Sequence, residues 1–268
     1  MLVDSHAHVV DEELKPFLDM VLSTCEKKRI QIFANSTDEK SSIENIRLTK
    51  EYPRTVKAFV GIHPWEAHNF NEEVFKDVVT KNLAKVSGIG EIGLDGKYID
   101  RVPFESQKKA FESQLAIAEE FKFPICVHSR RAHEDVLKVL DTYSLKGVLL
   151  HWFSGSEEQM KRGLDKGYFF SFGPTIVYSK GSRRLMSSCS TDRVLLETDS
   201  PVHYDACFEN RLSTPLLVGT VYYSACNIFK KSLEETLNII LENSQNYIGR
   251  KSFGDEFFWA KLETSHWI

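Results

Sequence analysis

Near the start of the chain, the segment Asp4-Ser5-His6-Ala7-His8 closes a short apolar run with two histidines spaced i and i+2. On a strand such residues face the same side, so His6 and His8 project their imidazoles together. Imidazole is the commonest side-chain metal ligand, and two of them supply half of a four-coordinate shell. Taken alone, the motif reads equally well as a pair of solvated histidines near a terminus. Its company decides. His63, Glu91, His128, His151 and Asp199 each end a β-rich run of their own: VKAFVGIH, VSGIGE, FPICVH, GVLLH and RVLLETD. Several titratable groups converging in one small space are costly to bury unless a cation organises them. Imidazoles and carboxylates without thiolate suit Zn, Mn, Fe or Co, and Mg where carboxylate and water dominate. Four imidazoles and two carboxylates exceed one tetrahedral shell, so two divalent ions are expected, with Glu91 placed to bridge them. Cys126, two residues before His128, reads first as a small core residue and second as a ligand.

The elements that must position these groups are legible as alternation. Strand candidates at 2–6, 30–36, 56–63, 86–91, 123–128, 147–151, 168–173 and 193–199 are separated by stretches of helical period. Segment 104–121 puts Phe104, Phe111, Leu115 and Ala118 on one side, and 132–143 repeats the pattern with Val136, Leu137, Val139 and Leu140. Thr214-Pro215 predicts a helix start with Thr as N-cap, and Ser232 with Glu235 predicts a capping box. About eight strand–helix units without a linker predict a single-domain (β/α) barrel of the TIM type over residues 1–251. In such a barrel the strand ends converge on one mouth. An open doubly wound sheet is the alternative, but the histidines stand where its glycine fingerprint would be. The aromatic-rich tail 252–268 is expected to pack Phe257, Phe258 and Trp259 back onto the barrel.

With 268 residues and 42% hydrophobic content, the chain has an ample core. Its net charge of −4 gives no general reach toward nucleic acid, so a polyanion must be held by a local basic cluster. Five cysteines without a Cys-x-x-Cys pair suit reduced thiols in a cytoplasmic or nuclear setting. No run reads as a signal core or a membrane span.

The segments DSHAH (4–8), GIHP (61–64), GEIGLD (90–95), PICVHSR (124–130), HWFSGS (151–156) and ETDSP (197–201), in this order, resemble the TatD-type metal-dependent deoxyribonucleases. That family belongs to the amidohydrolase-like barrel superfamily, and the resemblance covers about residues 1–249. It implies a metal site of His6, His8, Glu91, His128, His151 and Asp199, with Glu91 bridging. It also implies Mg- or Mn-dependent hydrolysis of DNA, often from the 3′ end, while some relatives are aminoacyl-tRNA deacylases. The chain departs from the pattern at FENRLSTPLLV, where Arg211 stands isolated and Ser213 replaces a common Asn. It departs again at Gly96, where an aromatic residue usually follows GLD.

The expected chemistry is attack on a phosphodiester of a DNA end, a 3′-5′ exodeoxyribonuclease reaction. Two cations (Mg, Mn or Zn) would neutralise its oxygens and lower the pKa of water. Asp199 is assigned the proton-accepting role and His63 a role at the substrate phosphate or leaving group. Asp95 is expected to hold a ligand histidine. Arg130 is the leading phosphate contact. Arg131, Lys180, Arg183 and Arg184 are weighed evenly between phosphate binding and solvated loops. Trp65, Trp152 and Phe153 read as base-stacking surfaces or as core. His68, His133 and His266 are expected at the surface, and His203 is left open. The same site fits ester or amide hydrolysis, as in a deacylase. A non-catalytic interaction barrel is a third class, against which the intact set of six costly groups counts.

Overall fold

The computed structural model describes residues 1–249. Eight parallel strands follow one another around a single sheet in sequence order. They are β1 (Leu2–Ala7), β2 (Ile30–Asn35), β3 (Val56–Val60) and β4 (Val86–Gly93), then β5 (Ile125–His128), β6 (Val148–Leu150), β7 (Phe169–Phe172) and β8 (Val194–Leu196). The seam between the last strand and the first is closed by a parallel bridge from Ala7 to Ser200. There the amides of Asp199 and His8 donate to the carbonyls of His6 and Ser200, at 2.9 and 2.7 Å. Every strand expected from the sequence is present, and the fold is the single-domain (β/α) barrel that the alternation predicts.

Helices lie between the strands: α1 (Leu18–Lys27), α2 (Glu39–Glu51), α3 (Glu72–Thr80), α4 (Phe104–Phe121), α5 (His133–Leu140) and α6 (Glu157–Asp165). Beyond β7 come α7 (Thr175–Tyr178) and α8 (Lys180–Ser188); after β8, a two-stranded hairpin of β9 (His203–Tyr204) and β10 (Arg211–Leu212) precedes α9 (Val218–Phe229) and α10 (Leu233–Ile248). The capping box of Ser232 and Glu235 opens α10 as expected. Thr214 does not act as a cap. Its side chain makes no capping bond, because Pro215–Leu217 first forms a 3-10 turn and α9 begins only at Val218.

The barrel is filled from below. Val3, Phe33, Phe59, Cys126, Leu149, Phe169 and Leu195 form an interior cluster that Tyr247 and Ile248 of α10 complete. The Tyr247 hydroxyl donates to the Ile125 carbonyl at 2.9 Å, so its buried polar end is satisfied. Above this apolar floor the histidines and their carboxylate partners gather at the carboxyl end of the strands, where low dielectric makes their charges interact strongly. The expected packing of Phe257, Phe258 and Trp259 lies outside the described residues. No helix among the described residues is long and apolar enough to cross a membrane.

Candidate active site

Two breaks in strand regularity set the site. Along β4, Gly88 and Gly90 face the interior, where an added Cβ would lie 2.2 Å from the Phe59 ring or 2.7 Å from Cys126 Cβ. Strict alternation would turn Glu91 away from that interior. A register shift between Ile89 and Ile92 brings its carboxylate inward instead. β1 carries a second shift between Asp4 and Ala7. His6 and His8 point into the mouth, while Ala7 between them packs into the outer core against the helices.

Glu91 is the centre of the resulting cluster. Its Oε2 lies 3.4 Å from His6 Nε2 and 3.1 Å from His8 Nε2. Its Oε1 lies 2.6 Å from His128 Nδ1, 2.7 Å from His151 Nε2 and 3.3 Å from His63 Nε2. Asp199 Oδ1 stands 3.3 Å from His6 Nε2 and 3.5 Å from His8 Nε2. All six expected ligands, and His63, therefore meet in one place. Three overlapping sets of potential ligand atoms, each within 4.8 Å of one another, run through it: His6, His151 and Asp199; His6, His8 and Glu91; His63, Glu91 and His128.

The far side of each imidazole fixes which nitrogen is available. His8 Nδ1 donates to the Asn35 carbonyl at 3.2 Å, leaving the Nε2 lone pair directed at Glu91. His128 Nε2 donates to Asp95 Oδ2 at 3.0 Å, which frees Nδ1 in the same way. His6 Nδ1 lies 3.1 Å from the Cys126 thiol, so the cysteine backs a histidine of the cluster and does not join it. His151 Nδ1 is buried without a hydrogen-bond partner, with Glu197 Oε1 3.8 Å away. His63 differs. Its Nδ1 accepts the Trp65 amide at 3.2 Å, so the neutral ring carries its proton on Nε2 and presents a donor to the site.

The electrostatics ask for positive charge. Burial pushes the Glu91 carboxyl up, but His151, His63, His6 and His128 together hold it well below the usual range. Asp199 is likewise held down by its histidine neighbours, His6 first, against burial. Burial lowers His8, His128 and His151, yet Glu91 is the main reason that all three end above the ordinary imidazole value. Burial wins at His63, which falls to about 4. Lone pairs and carboxylate oxygens facing one another at 2.6–3.4 Å need protons or cations between them, and the nitrogen and oxygen donor set suits divalent metal ions. The residues present thus fit such ions.

A surrounding layer holds the ring positions. Asp95 accepts from the Trp65 indole at 2.7 Å and from Arg130 Nη2 and Nε at 2.7 and 3.0 Å, as well as from His128. Burial raises the Asp95 carboxyl, but bonds from His128, Arg130 and Trp65 bring it down. Arg130 is therefore tied to Asp95 on the rim, its side chain 39% exposed. Trp65 is neither core nor free surface; its ring packs edge-to-face against that of His63, with centroids 4.4 Å apart. Glu197, unassigned from the sequence, is fully buried and accepts the Trp152 amide at 2.8 Å. Asp4 accepts the Thr198 amide at 2.9 Å and thereby ties β1 to the end of β8. The DSH and ETD runs contain both acids, but only their neighbours in space reveal what they do.

Other expectations fall outside the cluster. Phe153 is core, against Phe170. Arg183 binds the carbonyls of Ile176 and Val177, and Arg184 pairs with Glu157. His133 is half-buried against Phe153, contrary to the expected surface position, because it opens α5 facing that ring. His68 is exposed, and His203 bonds Asn210 and Glu13 away from the mouth. His266 lies outside the described residues.

Known proteins resemble this chain in sequence and in fold. YabD of Bacillus subtilis, an uncharacterized metal-dependent hydrolase, is 29% identical over 253 residues, covering 91% of this chain and 98% of YabD. The 3′-5′ ssDNA/RNA exonuclease TatD of Salmonella typhimurium is 32% identical over 171 residues, or 62% of this chain and 65% of that protein. The crystal structure of YJJV, a TatD homolog from Escherichia coli, superposes with a TM-score of 0.84 at 25% identity, covering 92% of this chain and 97% of that one. Residues 3–249, which hold the whole barrel and every histidine and carboxylate of its mouth, match the TatD related DNases, and the chain belongs to that family.

Proposed function

We propose that this member of a family of metal-dependent hydrolases cleaves phosphodiester bonds at the ends of DNA strands, in the 3′-5′ direction, with two divalent ions. The observation that carries the reading is the division of labour at Glu91. One carboxylate oxygen faces His6 and His8, the other faces His128 and His151, so a single side chain serves two half-sites. Asp199 Oδ1 completes the first half-site. When bound there, ions such as Mg, Mn or Zn supply water activation and neutralise charge on the phosphate oxygens.

The remaining steps belong to side chains of the chain itself. Asp199, its carboxyl held below the usual range by its histidine neighbours, takes the proton of the attacking water. His63, neutral with its proton on Nε2, donates a hydrogen bond to a phosphate oxygen. This favours phosphate binding over protonation of the leaving group. Arg130 supplies a charge-assisted contact to the substrate from the rim, while Asp95 holds it and His128 in position. The mouth lies above a water-excluding floor, where these fixed groups need no reorganisation.

A second reading has one specific observation behind it. A cavity of about 940 Å³ beside His8 is lined by Asp11, Glu12, Asp38, Glu39, Glu44 and Glu66, which suit the ammonium of an aminoacyl ester. End-labelled oligonucleotides and an aminoacyl-tRNA, offered separately to the metal-loaded protein, decide between the two. Shortening of the oligonucleotide from its 3′ end is the expected result. Intact DNA with rapid release of the amino acid would transfer the site to ester hydrolysis.

A further inference from the structure

Of the histidines expected as ligands, one lacks what the others have. The far nitrogen of His8 meets the Asn35 carbonyl, that of His128 meets Asp95, and that of His6 lies 3.1 Å from the Cys126 thiol. His151 Nδ1 is buried with no hydrogen-bond partner. An unpaired polar atom in such a place is costly. The acid it faces is Glu197, whose Oε1 lies 3.8 Å away.

Glu197 answers more than its present partners require. It is fully buried just beyond β8, and its two oxygens serve neutral donors. Oε1 accepts the Trp152 amide at 2.8 Å, and Oε2 accepts the Ser171 hydroxyl. The Ser171 oxygen also stands 3.2 Å from the same amide. A glutamine would satisfy an amide and a hydroxyl equally well, whereas a carboxylate buried among neutral donors alone is costly. What calls for an acid here is the ring of His151.

The main chain on either side of that ring is fixed. The His151 amide donates to the Val127 carbonyl at 3.2 Å, and the Phe153 amide to the Ser171 carbonyl at 3.1 Å. Between them Trp152 adopts a left-handed φ of 37°, its amide turned onto Glu197. The His6 ring lies flat against that of His151, centroids 3.9 Å apart and planes inclined by 11°, and covers one face. His151 Nε2 is the nitrogen turned to the cluster, 2.7 Å from Glu91 Oε1. An ion held there needs the Nε2 lone pair, so the one proton of the neutral ring must sit on Nδ1. That N–H then requires an acceptor, and Glu197 Oε1 is within about 1 Å of hydrogen-bond distance.

We infer that Glu197 is the positioning residue for His151: it accepts a hydrogen bond from Nδ1, fixes the tautomer of the ring and aims Nε2 at the half-site that Glu91 Oε1 serves. The inference rests on the two-ion reading of the cluster. Glu197 acts through the ring, as Asp95 acts through His128. Because the same carboxylate holds the Trp152 amide, the ring and the turn that follows it are set by one side chain.

The test compares the parent with Glu197→Gln and Glu197→Ala by zinc titration against a competing chelator, and by nitrogen-15 NMR of the zinc-loaded, histidine-labelled protein. The amide oxygen of Gln still accepts from Trp152, so that variant keeps the turn and removes the charge. Glu197→Gln should weaken binding of one of the two ions about tenfold, and Glu197→Ala by up to about a hundredfold. In the parent, the His151 ring proton should sit on Nδ1 and resonate downfield; in Glu197→Gln it should move upfield. Far-ultraviolet circular dichroism checks each fold. A folded Glu197→Gln protein with parental zinc affinity and an unmoved His151 signal would overturn the inference and leave Glu197 as a support of the Trp152 turn. A parent that takes up no zinc would overturn the two-ion reading itself.

Discussion

At the scale of single residues, the partner behind each ring separates imidazoles that offer a lone pair from one that offers a donor more sharply than residue type does. His8, His128 and His63 are all buried or nearly so beside Glu91, yet the partner on the far side of each ring differs. A carbonyl or carboxylate behind His8 and His128 accepts a hydrogen bond from the ring N–H and so leaves the other nitrogen's lone pair free, while an amide behind His63 occupies one. Replacing Glu91 with Gln should accordingly remove bound metal and reduce hydrolysis by a hundredfold or more, since it faces both halves of the cluster. His63→Ala should keep its metal, measured by elemental analysis, and lose activity mainly through KM. A His63→Ala protein that also loses metal would make His63 a ligand. For Asp199→Asn we expect turnover to fall by roughly 10²–10⁴ with the fold intact. Near-parental turnover would remove Asp199 from the reaction.

At the scale of elements, the sequence shows where the strands are but not how two of them bend. All eight strands were legible as β-rich runs, because each is buried on both faces and bounded by turn residues. The strands end earlier than the β-rich runs: 193–199 shrinks to Val194–Leu196, since Glu197 to Asp199 leave the ladder to line the site. That Glu91 belongs to the cluster could be guessed from its position at a strand end. The register shift that turns it inward has no signature beyond the glycines around it. The role of Asn35 is carried by its main-chain carbonyl, to which residue type gives no clue. Glu197 carries no signal of its own beside the more conspicuous Asp199. Gly93 offers a test of the bend. Its φ of 143° is open to glycine alone, and a Cβ there would lie 2.0 Å from the His128 carbonyl oxygen. Gly93→Ala should cost roughly 2 kcal/mol or more in denaturant unfolding and weaken metal binding by moving His128. Unchanged stability and metal content would show that the β4–β5 contact has slack.

At the scale of the whole molecule, folding brings together a cluster that is unfavourable until positive charge fills it. In the metal-free barrel, protons serve that purpose. His8, His128 and His151 have raised pKa values because Glu91, helped by Asp199, Asp95 and Glu197 at the respective rings, outweighs burial. A raised folded-state value means that protonation favours the fold. This contribution is complete below the unfolded imidazole value of about 6.5 and disappears as pH rises through the folded values. Glu91 works in the opposite sense: its depressed value gives stability above the unfolded carboxyl range that is lost as pH falls through the folded one. Between those limits the chelated protein is held together partly by protons that metal ions must displace. Added Mn or Zn should therefore raise the melting temperature more at pH about 8.5 than at pH about 6, and binding should release protons, measurable in buffers of different ionisation enthalpy. At a hundredfold excess over Kd the gain approaches about 2.7 kcal/mol. A metal-induced shift that is the same at both pH values, with no proton release, would mean that the ions bind somewhere other than this cluster of imidazoles and carboxylates.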